Sequence, residues 1–346
     1  MPDTSPRPDP PTPFDPIETI TRLDIVRAAP ETPCGEVAAR LAAASQEVGD
    51  VACITDADGR LLGIATLRDC LRADPAAPVA GIQRTATPAE PDWTAEEAAH
   101  ELVDEALPAL PVVAADGTVR GLVPALAAHR YLIEKVEDDT NKAVGIVGEQ
   151  KDDYLDLSVW ADFWRRVPWV LSLAVAGLAA GYVVHVYEDA LDALVILALY
   201  MPMVADTGGN VGTQSASLVT RAISFGDVTA RDAARILWRE TRVSLLMAGT
   251  LFLFAYLKVL LISNGADVPE GLTLNAIGLA IAIALAAQVV SATLIGAVLP
   301  VAAVAARQDP AVVSGPALTT IVDLTGLLLY FGIVTHVLDL SLVAAT

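Results

Sequence analysis

Asp323 stands in the segment SGPALTTIVDLTG (314–326) and is the only charged residue in the apolar run from Ala311 to Leu338. A carboxylate placed there disfavours insertion into hydrocarbon by at least about 2.5 kcal/mol, and its default reading is an ion pathway. At helical spacing Thr319, Thr320 and Gly326 fall on its face, offering hydroxyl oxygens and a close backbone approach. A second polar stripe is formed by Asp206, Asn210 and Gln214 at i, i+4 and i+8, behind Pro202 and interleaved with Gly208, Gly209 and Gly212. Every ligand atom in these two sets is oxygen, without thiolate or imidazole, which favours a hard cation over zinc or copper. Magnesium gives up its water reluctantly, so one carboxylate with flanking hydroxyls and carbonyls suits a partly hydrated Mg²⁺ better than a dry cage would. The competing reading of Asp323 is an interhelical polar contact, for instance with Asn210.

Other constellations exclude chemistry. The histidines, His100, His129, His185 and His336, form no HExxH or paired motif, so an intramembrane metalloprotease is ruled out and no enzyme activity is expected. TGGNVG lacks the GK[ST] of a phosphate loop. Cys34, Cys53 and Cys70 fit neither a zinc ribbon nor a CxxC pair and read as buried thiols of a reducing compartment. Acids are dense at Glu101, Asp104 and Glu105 and again at Glu137, Asp138, Asp139, Asp152 and Asp153. Like charges at this density repel, and a divalent cation would relieve the strain; the alternative is a solvated connector.

The elements that position these groups follow from composition. With 54% hydrophobic residues, 18% charged residues and a mean hydropathy of +0.51, this is a membrane protein rather than a soluble enzyme. Before Trp160 there are 29 acids and 13 bases, and from Trp160 onward 13 acids and 9 bases, so an acidic water-facing half precedes an apolar half. A pI near 4.4 argues against a nucleic-acid partner and suits a cation as ligand. Apolar runs at Val167 to Tyr187, from Ala193, at Val243 to Ile262, at Thr273 to Ala306 and at Ala311 to Leu338 predict five spans. The second is expected to be interrupted or to open to water behind Pro202, and the fourth to tilt or break near Pro300. Arg165 and Arg166, the arginines from Arg221 to Arg242, and Arg307 mark cytoplasmic connections, which leaves the C-terminus outside. The first sixteen residues contain seven prolines and no apolar stretch, so a disordered tail and a cytoplasmic N-terminus are expected.

A shift of 58 residues lays DGRLLGIA (58–65) on DGTVRGLV (116–123), each copy reading as strand, Asp-Gly turn, strand and helix. Thr94 with Glu97 forms a capping box opening the helix AEEAAHELVDEAL. This duplication resembles a tandem pair of cystathionine β-synthase-type (CBS) domains. The segments PMVADTGGNVGTQSASLVTRA and DPAVVSGPALTTIVDLTGLLLYF (309–331) resemble the signatures of the MgtE family of magnesium channels. The implied fold class is an α-helical membrane protein of five transmembrane helices with an N-terminal α/β CBS pair. The expected divisions are a tail at 1–16, CBS domains at 17–80 and 81–135, an acidic connecting "plug" helix at 136–164 and the pore domain at 165–346.

The resemblance implies a homodimer in the cytoplasmic membrane with no further protein partner inferable. It also implies passive Mg²⁺ flow past Asp323 and closure by intracellular Mg²⁺ held between CBS and plug acids. ATP on the CBS pair is implied as a modulator, with Thr66 and Asp69 contacting the ribose. The second copy has Pro124 and Ala127 at those positions, which leaves one nucleotide half-site or, alternatively, a rigid dimerisation unit. Family members commonly begin with a superhelical acidic domain; here a proline-rich tail precedes the CBS pair, so weaker or reset regulation is expected. The alternatives are a broader Co²⁺ or Mn²⁺ transporter, or a membrane-tethered adenine-nucleotide sensor without flux.

Overall fold

The computed structural model describes residues 11–44, 50–146, 155, 158–263, 268–269, 271–313 and 315–340, and the chain divides into two units, 1–138 and 139–346.

In the first unit the duplication is visible strand by strand. Strand β1 (Val26–Ala28) leads through α1 (Cys34–Ala43) to β2 (Val51–Thr55) and β3 (Leu61–Thr66), followed by α2 (Leu67–Arg72). The second copy runs α3 (Ala95–Asp104), β4 (Ala109–Val113), β5 (Val119–Pro124) and α4 (Ala125–Ala143). β2 pairs antiparallel with β3 and parallel with β1, and β4 pairs antiparallel with β5. Each hairpin turns on an Asp-Gly pair whose glycine takes the left-handed conformation, Gly59 at φ 79° and Gly117 at φ 84°, which a Cβ would disfavour.

Every residue of β2 and β4 is buried, as expected for strands with apolar partners on both faces. The copies interlock: Ile64 bridges Arg84, the segment leading into copy two, while Leu122 bridges Arg22, the segment leading into copy one. Val51, Cys53, Ile64, Val119 and Leu122 form the core between them. All three cysteines are buried free thiols, and burial pushes Cys53 up to about 12, so it stays protonated and inert. The capping box forms as expected, with Thr94 Oγ1 accepting from the Glu97 N–H at 3.1 Å and Glu97 Oε2 accepting from the Thr94 N–H at 2.8 Å.

Two expectations for this region change. Within the tail expected to be disordered, residues 11–16 fold onto the second copy, where the Tyr131 hydroxyl donates to the Thr12 carbonyl at 2.9 Å; residues 1–10 lie outside the described set. The acidic connecting helix does not continue as one element through 136–164. α4 ends at Ala143 because Gly145, at φ 74°, closes a Schellman cap: the Ile146 N–H donates to the Asn141 carbonyl and the Gly145 N–H to that of Lys142.

The second unit contains α5 (Val159–Val186), the short α6 (Glu188–Ala193), α7 (Ile196–Ser224), α8 (Ala233–Ile262), α9 (Leu274–Ala305) and α10 (Pro316–Val337). By length and apolarity Val159–Val186, Ala230–Ile262, Leu274–Ala305 and Pro316–Val337 can cross a membrane. α7 is 29 residues long, roughly 43 Å at 1.5 Å per residue, and only its polar stripe keeps it from the same class.

Both prolines lie inside continuous helices, so neither a break at Pro202 nor one at Pro300 is present, and the alternatives of an opening to water in α7 and a tilt of α9 stand. Each helix is held by its neighbours instead, since α7 and α9 pack tightly on one another and on α10. α9 is apolar on all sides and sits at the centre, as such a helix must. α5 packs on α10, where Tyr187 just beyond its end stacks on Phe331 at 4.9 Å, and leaves most of its apolar surface exposed in the single chain.

Small residues set the α7–α9 spacing. A Cβ on Gly296 of α9 would lie 2.3 Å from the Gly212 carbonyl oxygen of α7, and one on Gly212 would lie 3.3 Å from the Ala292 carbonyl oxygen. Gly212 on α7 thus faces Ala292 and Gly296 on α9, and Gly208 one turn earlier faces Gln288, so small residues let the two backbones approach as small-xxx-small patterns do in lipid. We expect Gly296→Val to destabilise the full chain in detergent by about 1–3 kcal/mol, the range for overpacking a tight site. Gly249→Ala, which adds a methyl in open space, should leave the melting temperature unchanged or slightly raised. Equal melting temperatures for Gly296→Val and the parent would mean that α7 and α9 do not meet there.

Candidate cation pathway and nucleotide cleft

Asp323 lies half-buried on α10, two turns after the helix opens at Pro316. α7 approaches it closely because Gly209 has no side chain: a Cβ there would stand 3.9 Å from Asp323 Oδ1 and 3.7 Å from Thr319 Cγ2. Asp206, one turn before Asn210 on α7, acts on Asp323 by charge repulsion, so the two carboxylates share one region. Thr319 and Thr320 both donate their hydroxyl protons to the Pro316 carbonyl, at 2.9 and 3.0 Å. That leaves oxygen lone pairs, the part of a hydroxyl a cation or its water can use.

The α7 stripe is spread out rather than convergent. Asp206, Asn210 and Gln214 are exposed along one face of the helix, and eight residues at 1.5 Å rise put Gln214 about 12 Å from Asp206. Among the described residues no hydrogen bond joins Asp323 to Asn210. The geometry is that of an open, oxygen-lined face along α7 beside Asp323, not of a closed cage. Gly326, grouped with Asp323 by helical spacing, instead packs against the side chain of Gln288 on α9.

Two polar residues beside this path were not singled out from the sequence. Gln288 is fully buried and its Nε2 donates to the Val322 carbonyl at 2.9 Å. Its sequence signal was an amide inside the uncharged run of α9. Glu240 of α8 accepts from the Ser215 hydroxyl of α7 at 2.8 Å, and was masked by the arginines Arg239 and Arg242 around it.

The acids read as regulatory fall in several places. Glu101 and Asp104 lie on α3 and Glu105 caps it, with Asp104 and Glu105 exposed; among the described residues these three form no cluster of metal-holding size. Glu137, Asp138 and Asp139 lie on α4, while Asp152 and Asp153 fall outside the described residues. Within the second unit, Asp139 and Asp309 bring carboxylate oxygens within 4.8 Å of one another. Lys142 Nζ, on the last turn of α4, donates to Asp309 Oδ2 at 2.7 Å. Asp309 begins the connection into α10 and caps its 3-10 turn, where its Oδ1 accepts from the Ala311 N–H at 3.0 Å. The end of α4 is therefore tied to the segment that leads into the helix of Asp323.

Thr66 and Asp69 form a local network in the first unit. Thr66 caps α2, its Oγ1 accepting from the Asp69 N–H at 3.1 Å and donating to Asp69 Oδ2 at 2.9 Å. Arg84 Nη2 lies 3.0 Å from Asp69 Oδ1 and 2.9 Å from Oδ2. The Thr66 hydroxyl, then Arg84, hold the Asp69 carboxyl below the usual carboxylate range. Thr66 and Arg84 line an open cleft of about 700 Å³ together with Asp50, Arg68, Arg72 and Leu107. Three guanidinium groups against one carboxylate make this lining suited to an anion. Arg68 and Arg72 were legible only as an i, i+4 pair, and Arg84 enters from the segment before copy two.

Comparison with known proteins places these features in a family. Residues 201–333 match the MgtE family, described as divalent cation transporter, and residues 17–76 and 82–134 match the CBS domain. The magnesium transporter MgtE of Thermus thermophilus is 32% identical over 287 residues, covering 83% of this chain and 61% of that protein. That of Bacillus subtilis is 31% identical over 277 residues, covering 80% of this chain and 59% of that protein. The chain thus spans about three fifths of the length of these curated relatives. The crystal structure of the cytosolic domain of the Mg²⁺ channel MgtE in complex with ATP aligns at 27% identity with a TM-score of 0.32, covering 34% of this chain and 48% of that one. A CBS pair followed by a helical membrane region that includes the glycine-rich α7 and the Asp323 helix identifies this chain as a member of the MgtE family.

Proposed function

We propose that this chain is a magnesium-selective channel of the cytoplasmic membrane that imports Mg²⁺ and is closed by intracellular Mg²⁺. The observation that carries the reading is Asp323 facing Gly209 and Asp206 between α7 and α10, inside the region that matches the divalent cation transporter family. Two repelling carboxylates, Asp323 half-buried and Asp206 exposed, lower their energy by attracting a doubly charged ion. The Thr319 and Thr320 oxygens and the α7 stripe then accept hydrogen bonds from its water, so the ion need not shed its whole shell. A second copy of the chain, set against the exposed polar face of α7, would double the carboxylates around one axis. In this reading the N-terminus and CBS pair are cytoplasmic and the C-terminus is outside.

Closure follows from the same electrostatics. Glu101, Asp104, Glu105, Glu137, Asp138, Asp139, Asp152 and Asp153 repel across two cytoplasmic halves unless divalent ions sit among them, which gives Mg²⁺ a preference for the compact state. A shift from mostly open to mostly closed takes about 5.5 kcal/mol of differential binding, so several weak sites act together. ATP in the Arg68, Arg72 and Arg84 cleft, with its ribose on Thr66 and Asp69, would stiffen the CBS pair and modulate that balance.

Three outcomes test this. In liposomes containing the full chain alone, Mg²⁺ should enter down an imposed inside-negative potential, and Asp323→Ala should abolish its preference over K⁺ while the protein still assembles. Unchanged selectivity in a folded Asp323→Ala variant would defeat the pore assignment, and Co²⁺ or Mn²⁺ passing as readily as Mg²⁺ would replace it with a broad divalent transporter. Neutralising Asp138, Asp139, Asp152 and Asp153 together to Asn should leave a conductance that no longer falls in millimolar Mg²⁺; closure at the parent's concentration would move the latch elsewhere. ATP at a hundredfold excess over its Kd should stabilise the CBS pair by about 2.7 kcal/mol, and Asp69→Ala should remove that shift. A parent protein that does not respond to millimolar ATP would reduce the CBS pair to a dimerisation unit.

A further inference from the structure

Gln288 lies near the middle of α9, a helix with no charged residue, and none of its surface is exposed. Its Nε2 donates at 2.9 Å to the carbonyl of Val322, the residue immediately before Asp323. In α10 that carbonyl is also the acceptor of the regular bond from Gly326 four residues on, and the Thr325 hydroxyl reaches it at 3.1 Å. The glutamine is therefore an additional donor from a neighbouring helix onto an oxygen that already has local partners.

Two glycines make the approach possible. A Cβ on Gly208 of α7 would stand 2.3 Å from Nε2, and a Cβ on Gly326 of α10 would stand 2.5 Å from it. The amide thus occupies the space where both side chains would begin, and it joins α7, α9 and α10 at the level of Asp323. Its Oε1 is buried and, among the described residues, has no hydrogen-bond partner. For packing alone, an apolar side chain of the same shape would serve better in lipid, because an amide oxygen left without a partner is unfavourable there.

Resting on the proposed transport function, we infer that Gln288 is a positioning residue for the cation pathway: its bond to Val322 fixes the height and rotation of α10, and with them the placement of the Asp323 carboxylate against Gly209 and Asp206. Helix rotation carries a side chain sideways by 100° per residue, so a small turn or slide of α10 would take Asp323 away from α7. The same clamp accounts for the glycines facing it, since a methyl on either would evict the amide. Gln288 is not proposed as a cation ligand.

The test uses the full chain in liposomes and reads the ratio of Mg²⁺ to K⁺ flux and the half-saturating Mg²⁺ concentration, beside the melting temperature in detergent. Gln288→Met keeps the length and volume of the side chain and removes the donor. It should melt within a few degrees of the parent while the Mg²⁺ preference falls by about tenfold or more, the scale on which small misplacements of a reacting group act. Gly326→Ala leaves Gln288 in place but puts a methyl in the position of its amide, and should cause the same loss of preference. A Gln288→Met or Gly326→Ala protein that assembles with the parent's preference would overturn the inference and make the amide a space filler. A parent that passes no Mg²⁺ would overturn the transport reading and this one together, whereas a selective parent with equally selective variants defeats this one alone.

Discussion

A carboxylate inside an apolar helix bundle is costly unless water, polar oxygens or a cation can reach it, and that requirement bears on how the membrane helices are spaced. Asp323 meets it through α7, which brings a polar stripe to within reach because Gly209 places backbone rather than side chain opposite the carboxylate. Gly208 and Gly212 continue the same device toward α9, where Gln288, Ala292 and Gly296 fill or share the space that side chains would have taken. In lipid there is no hydrophobic drive to hold helices together, so contact of this kind, reinforced by the Gln288 bond to Val322, does that work. The polar stripe that makes α7 poor as a lipid-facing span is therefore what would form the wall of the proposed pathway.

The cytoplasmic unit obeys a different constraint. Its two copies are too small to bury their strands alone, and each completes the other through the crossed bridges Ile64 to Arg84 and Leu122 to Arg22. That crossing brings Arg84 of the segment before copy two to Asp69 of copy one, so the arginine-lined cleft depends on the pair rather than on one domain. In the second unit, the end of α4 is coupled through Lys142 to Asp309 and so to the start of the Asp323 helix.

Much of this was legible in the sequence because it rested on local rules. The 58-residue shift, the Asp-Gly turns and the Thr94 capping box depend on neighbours in the chain, and each element appears in the corresponding place. Asp323 was visible because a charge in a long apolar run needs no partner to be noticed. What local rules missed were consequences of packing. Pro202 and Pro300 signalled breaks, yet neighbouring helices hold α7 and α9 continuous. Gly326 was assigned to the ion path by helical spacing, but its open side is taken by Gln288 from a helix nearly forty residues away. Gln288, Glu240 and Arg84 acquire meaning only through residues distant in sequence, and Gly145, which ends α4, was lost within a strongly charged stretch.

In the proposed channel a divalent ion rests between α7 and α10 at the level of Asp323. Crystals of the full chain soaked in Mn²⁺, measured for anomalous scattering, address it directly, because manganese shares magnesium's oxygen preference and octahedral geometry and is visible by its own signal. An anomalous peak is expected beside the Asp323 carboxylate, at the distance of a direct or water-mediated contact, and is expected to vanish in Asp323→Ala crystals. Ordered manganese elsewhere in the helical bundle with none beside Asp323, or a peak at Asp323 that persists in the alanine variant, would contradict it.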